Sequence, residues 1–265
     1  MSDFLVSKGL KLNDDKTHLM VMTTSQARAI RRGTMKDSSL VVIRTPTTVI
    51  HPSESEKLLG CWLHQDMKFT EHIRNHEESL LSSINKRIGA LKMVGRVASF
   101  KTRKMIANGI VMSKLIYLIE LWGGSSKYLL EALQKAQNRA ARIVTKLDWT
   151  THSAELLRQC GWMSVNQLVV YHSVVLVYKV MQSKSPRYLH SVFLTSYSYQ
   201  TKQADKKLLR QTRNMDLDIS HSSFRWRAGQ AFNDLPLEIR SLGKLVKFKN
   251  KARIWIKANI PLYPA

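Results

Sequence analysis

KLIYLIELWGGSSKYLLEALQKAQNRAARIVTK, residues 114–146, holds the end of one helix, a turn at Gly123-Gly124, and a second, longer helix. Ser126 is placed to cap the second helix by accepting a bond from a free N–H in its first turn. On a 3.6-residue period Leu129, Leu133, Ala136, Ala140, Val144 and Leu147 share one face. Lys135, Arg139, Arg142 and Lys146 share the opposite face. One helix therefore shows a packing side and a cationic stripe. Such a stripe has two readings: a solvated basic face, or a surface that meets phosphates.

The rest of the chain bears on that choice. With 265 residues, 44% of them hydrophobic, it can bury a real core in one large domain or two small ones. Its net charge is +23 and its pI about 10.2, which points to a polyanionic partner, nucleic acid before membrane. The excess is concentrated. Lys86–Lys146 carries 13 Lys/Arg against 2 Asp/Glu, and Lys179–Lys257 carries 17 against 5. These two blocks account for the whole net charge. Lysine richness serving solubility alone would be spread out.

The two cysteines, Cys61 and Cys160, stand far apart and cannot build a zinc-knuckle set; two lone thiols suggest a reducing compartment, the cytoplasm or nucleus. No secretory pattern is read. The longest apolar run, Leu115 to Trp122, contains Glu120 and is too short to span a bilayer, so no membrane partner is expected.

Taken in order, LKLNDDKTHLMVMT reads as strand, turn, strand around Asn13-Asp14-Asp15-Lys16. The aspartate pair in an Asn-led turn reads as local turn chemistry rather than a metal site. Leu40–Arg44, Thr47–Ile50 and Lys57–Leu63 read as short strands separated by Pro46 and Pro52, with Gly60 marking a bulge or a close backbone approach in the last. From Thr70, a plausible cap, the period becomes helical through Ile73, Leu80, Ile84, Ile88 and Leu91. His72 and His76 stand four residues apart, but no third ligand is evident, so a polar first turn is expected and no metal. Ser99 begins a helix running to Trp122, residues 154–160 form a short helix stopped by Gly161, and Ser164 caps a strongly apolar one containing His172.

Residues 183–223 are Ser/Thr/Tyr/Lys-rich, weakly periodic, and read as a basic linker. In the closing segment, Phe224–Phe232 reads as one helix and a second begins at Lys244. The second shows Lys247, Lys249, Lys251 and Arg253. Arg225, Trp226 and Arg227 interleave guanidinium and aromatic groups, a mixture that suits stacking on bases, although Trp226 suits a core equally well.

The order LKLNDDKTHLMVM, KLLGCWLHQDMKFTEHI, LIELWGG…LLEALQKAQNRAARIV, ELLRQCGWMSVNQLVVYHSVVLVYKVMQSKSPRYL and SFRWRAGQAFNDLPLEIRSLGKLVKFKNKARIWI resembles the C-terminal part of a non-LTR (LINE-like) retrotransposon reverse transcriptase over nearly the whole chain. The resemblance implies that the LNxxKT-like segment closes a palm, with Lys16 similar to a palm lysine proposed to protonate leaving pyrophosphate. Lys57, Leu59 and Gly60 match the primer-grip region, and the helices after them match the thumb. In that family the palm aspartates, including a YxDD turn, hold two divalent metals such as Mg²⁺. That turn would precede Met1, and Asp14-Asp15 is not it. No cofactor is expected for this part alone.

The expected fold is mainly α with a small N-terminal β region. It comprises a palm remnant (1–69), a helical thumb-like domain (70–182), a basic linker (183–223) and a basic helical tail (224–265). The expected function is binding of RNA, DNA or their hybrid through phosphates by Lys135, Arg139, Arg142, Lys146, Arg225, Arg227, Lys247, Lys249 and Lys251. Two competing expectations are membership of the RNA-directed DNA polymerases as an enzyme, and a retroelement-derived helical protein with no selected function.

Overall fold

A computed structural model describes residues 7–9, 13, 16–22, 42–44, 49–193, 208–209 and 223–263. They are mainly helical with a small β part near the N-terminus, and the chain divides into two compact units after Ser79.

In the first unit the turn at Asn13 forms as its chemistry dictates. The Lys16 N–H donates to the Asn13 carbonyl (3.2 Å) and to Asn13 Oδ1 (3.1 Å), and Thr17 Oγ1 donates to the same carbonyl. Asp14 and Asp15 lie outside the described residues. Downstream of the turn, Leu19 makes one parallel bridge to Pro52 in place of the expected strand. Two antiparallel pairs follow. β1 (Ile43–Arg44) pairs with β2 (Val49–Ile50), and β3 (Ser55–Leu58) with β4 (Cys61–His64).

The segment expected as one strand, 57–63, is thus a hairpin. Leu58 faces Cys61, and the two intervening residues, Leu59 and Gly60, have φ of 49° and 80°. A two-residue loop with both central φ positive matches the twist of its strands, and glycine takes that backbone without a Cβ clash. Gly60 is therefore a turn residue, not a bulge. The helix expected from Thr70 is also interrupted. Glu71–Asn75 makes one π-helical turn, Thr70 provides no side-chain cap, and His76 is extended (φ −117°, ψ 148°). The imidazole of His76 lies on the Trp62 ring, centroids 3.9 Å apart, and its Nδ1 accepts the Glu78 N–H. These contacts divert the chain before it restarts as a helix.

The second unit begins with α1 (Leu80–Gly95) and α2 (Phe100–Ala107). Ser99 caps α2, its Oγ accepting the Thr102 N–H. From α2 the helix runs on through a π-helical stretch, Asn108–Met112, into α3 (Ser113–Ile116). The expected continuation to Trp122 is broken by extended Tyr117 and left-handed Leu118 (φ 53°), after which α4 (Ile119–Trp122) begins. The break lets Trp122 bury fully while its Nε1–H reaches the Tyr117 carbonyl at 2.9 Å.

α5 (Lys127–Thr145) is the central helix, packed against α1, α2, α6 (Ser153–Cys160) and α7 (Val165–Ser183). Leu129, Leu133, Ala136, Ala140 and Val144 are buried, and each large side chain there contributes about 1.5–3 kcal/mol. Leu147 falls beyond the helix and is only half-buried. Ser126 occupies the cap position without a side-chain bond; only its carbonyl is engaged, accepting from the Leu129 and Leu130 N–H groups. The buried face is wider than expected because Gln134 and Gln137 turn inward. Gln134 Oε1 accepts the Val165 N–H (2.8 Å), and Gln137 Nε2 donates to the Met163 carbonyl (2.9 Å). These bonds tie α5 to the start of α7, where Ser164 and Gln167 form a capping box.

α7 is buried on nearly every side, which explains its continuous apolar character. Gly123 permits the approach of α4: a Cβ there would lie 2.7 Å from Val169 and 2.6 Å from the Ile119 carbonyl. The C-terminal helices α9 (Phe224–Asp234), α10 (Leu237–Arg240) and α11 (Leu245–Asn259) belong to this same unit, with α9 and α11 packed on α7. Tyr178 stacks on Phe248 at 4.0 Å, and its hydroxyl donates to the Leu242 carbonyl. The expected linker is in part structured as well. Residues Arg187–Phe193 form α8, Phe193 meets Phe224 edge-on, and buried Leu209 exchanges two backbone bonds with the Asn233 amide. Such isolated anchors leave no periodic trace in a polar sequence.

No single helix among the described residues is long and apolar enough to cross a membrane. α6 and α7 reach that length only as a pair bent by 45°.

Candidate nucleic-acid interface

The α5 stripe does not act as one surface. Lys135 is exposed, with no hydrogen-bond or ion-pair partner among the described residues. Arg139 is exposed and donates to Asn85 Oδ1 (2.7 Å). Arg142 is half-buried and donates to the carbonyls of Trp149 (3.1 Å) and Thr151 (3.2 Å), holding the loop after the helix. Lys146 takes the left-handed position that ends the helix and donates to the Arg96 carbonyl. Two of the four cations are thus engaged in binding this protein's own backbone.

The C-terminal cations separate in a similar way. Arg225 is exposed. Arg227 points inward, donating to Ser173 Oγ (3.2 Å) and the Glu120 carbonyl (2.9 Å) and docking α9 on α7 and α4. Burial lowers its pKa to about 10, with Glu120 opposing the shift. Trp226 is half-buried between them. On α11, buried Phe248, Ala252 and Ile256 divide the cations between two flanks. Lys247 and Lys251 are exposed, one helical turn apart on one flank. Lys249 and Arg253, likewise one turn apart, flank the other side and face a cleft.

That cleft, about 650 Å³, lies wholly within the second unit. Its rim carries Lys104 of α2, Lys179 of α7, and Lys249 and Arg253 of α11. None of the four has a carboxylate partner among the described residues. Arg253 lies over the Tyr171 ring, 5.5 Å from its centroid. Nearby Lys257 donates to the Gly161 carbonyl, and burial first, then Arg253 and Lys104, lower its pKa. The floor is apolar, built from Met112, Ile116, Leu168, Val175 and Leu176. Trp162 forms part of the wall, its Nε1–H donating to Asn108 Oδ1 (2.9 Å).

Two titratable groups report on this environment. His172, with Nδ1 3.8 Å from Glu120 Oε1, has its pKa lowered, chiefly by burial; Lys179, Lys249 and Arg253 lower it further and Glu120 opposes. Burial raises the Cys160 thiol to about 11, with Lys104 opposing. A group shifted toward its neutral base and a neutral thiol beside unpaired cations describe a positive, partly desolvated recess. Glu120 is the one carboxylate among its lining residues. Of its residues only Lys249 was among the sequence-predicted contacts. His172 and Lys179 stand seven residues apart on one face of α7, but Lys104 and the α11 cations lie far from them in the chain, and no short spacing joins all of them.

In the first unit Lys16 is exposed at the Asn13 turn. Lys57 forms an ion pair with Glu78 and lies 5.8 Å from the centre of the Trp62 ring. Leu59 and Gly60 form the exposed hairpin tip. His72 and His76 converge on Trp62, not on a shared ligand position: His72 Nδ1 accepts the Trp62 N–H (3.4 Å), while His76 covers the ring. No group of three or more metal-ligating side chains occurs among the described residues. No protein-family model, curated protein or solved structure matches this chain.

Proposed function

We propose that this chain is a reverse-transcriptase-derived protein whose second unit binds RNA, DNA or their hybrid through phosphates, with little sequence preference. The observation that carries this reading is the convergence of Lys104, Lys179, Lys249 and Arg253 on one cleft without carboxylate partners among the described residues. Glu120 is the one carboxylate lining the cleft, against four cations; that excess of like charge costs stability, and a polyanion offsets the cost. Lys135, Arg225, Lys247 and Lys251 are further exposed cations of the same unit. The first unit's Lys57–Leu59–Gly60 hairpin is the primer-grip-like element of this reading.

Binding that neutralises about six phosphates should make log K fall against log salt with a slope of roughly −4 to −5. Fluorescence anisotropy of labelled oligonucleotides across a salt series measures that slope. Lys179→Gln/Lys249→Gln should make it shallower by about 1 to 2. A flat salt response, or no binding at low salt, would overturn the reading.

A further inference from the structure

Phosphate contacts alone need only cations on an open surface. The cleft adds an apolar floor beneath the cationic rim, and that floor does nothing for a phosphate, since an anion pressed onto it loses water without gaining a partner. A ligand matching both features has a flat apolar part and an anionic part close by. At about 650 Å³ the cleft falls within the range of small-ligand sites.

Polar groups at the mouth are suited to the edge of such a ligand. Asn108 is exposed, and its Oδ1 accepts from Trp162 while its amide N–H groups have no acceptor among the described residues. His172 is half-exposed and also lines the cleft. Asn108 and Met112 are the two ends of the π-helical stretch, a local widening that recurs at binding sites, and Ser113 follows it at the start of α3.

We propose that the cleft takes one unpaired nucleotide of a single strand, its base on the floor near Met112 and Leu176 and its phosphate between Lys179, Lys249 and Arg253. This rests on the nucleic-acid reading above and narrows it. A paired base cannot enter, because its neighbours stack on both faces and its partner covers its edge. The site therefore distinguishes a strand with accessible bases from a duplex or a bare backbone.

The test uses the full chain and three fluorescein-labelled probes of equal length: oligo(dT), an abasic strand with the same phosphates, and a blunt duplex. Oligo(dT) is expected to bind at least about fivefold more tightly than the abasic strand, the scale of burying a few tens of Å² of apolar surface. Ser113→Trp, which places an indole at the exposed rim, should bring the ratio of oligo(dT) to abasic affinity down toward one. Equal affinity of the unmodified protein for oligo(dT) and the abasic strand overturns the base pocket while leaving backbone binding intact. Failure to bind any of the three overturns both. The comparison between probes needs no variant, so it stands even if Ser113→Trp fails to fold.

Discussion

His172 shows how a single residue reports the character of the recess. Its imidazole is held below its ordinary pKa by burial and by three cations, with only Glu120 pulling the other way. The unfolded chain therefore takes up a proton as pH falls through about 6.5, before the folded chain does. Stability present above that pH is lost as pH drops toward the folded pKa. Thermal unfolding followed between about pH 7.5 and 5.5 should show a falling midpoint. His172→Gln should flatten part of that fall, and an unchanged slope would mean the histidine is solvated in the fold. Arg227 makes the complementary point. Its type and its neighbours Arg225 and Trp226 suggested contact with bases, yet its donors serve Ser173 and the Glu120 carbonyl. Nothing in the local sequence distinguishes an arginine that faces out from one that holds two helices together.

At the scale of elements, the sequence marks helices well where polar caps and apolar periods coincide. Ser99, Ser164 and Gly161 end or begin helices where their chemistry requires, and the packing face of α5 is buried from Leu129 to Val144. Elements shaped by tertiary contacts are less legible. The break at Leu118 follows from burying Trp122, and the hairpin at Leu59-Gly60 hides inside an unbroken apolar run. The α5 stripe yields a direct comparison. Arg142→Glu removes the donor to two loop carbonyls and should cost about 1–3 kcal/mol. Lys135→Glu, on an exposed site, should stay within about 0.5 kcal/mol while weakening nucleic-acid binding. Urea midpoints and binding curves for the two variants separate a cation that supports the fold from one free to meet a ligand.

At the scale of the molecule, the division after Ser79 separates a small β-bearing unit from a helical one with its own core, containing Leu133, Trp122 and Phe248. A fragment beginning at Leu80 should therefore unfold in one cooperative transition with its helices retained, as circular dichroism during heating would show; a gradual loss of signal would mean the helical unit depends on the first. The C-terminal helices must be included, because α9 and α11 pack directly on α7. The cleft depends on the same assembly. Its four cations come from α2, α7 and α11, so the site is discontinuous in the way a conformational epitope is. Overlapping synthetic peptides would display several basic tracts and none of the recess. A nonsense codon at Leu245 would remove α11, and with it the wall bearing Lys249 and Arg253, while leaving most of the positive charge in place.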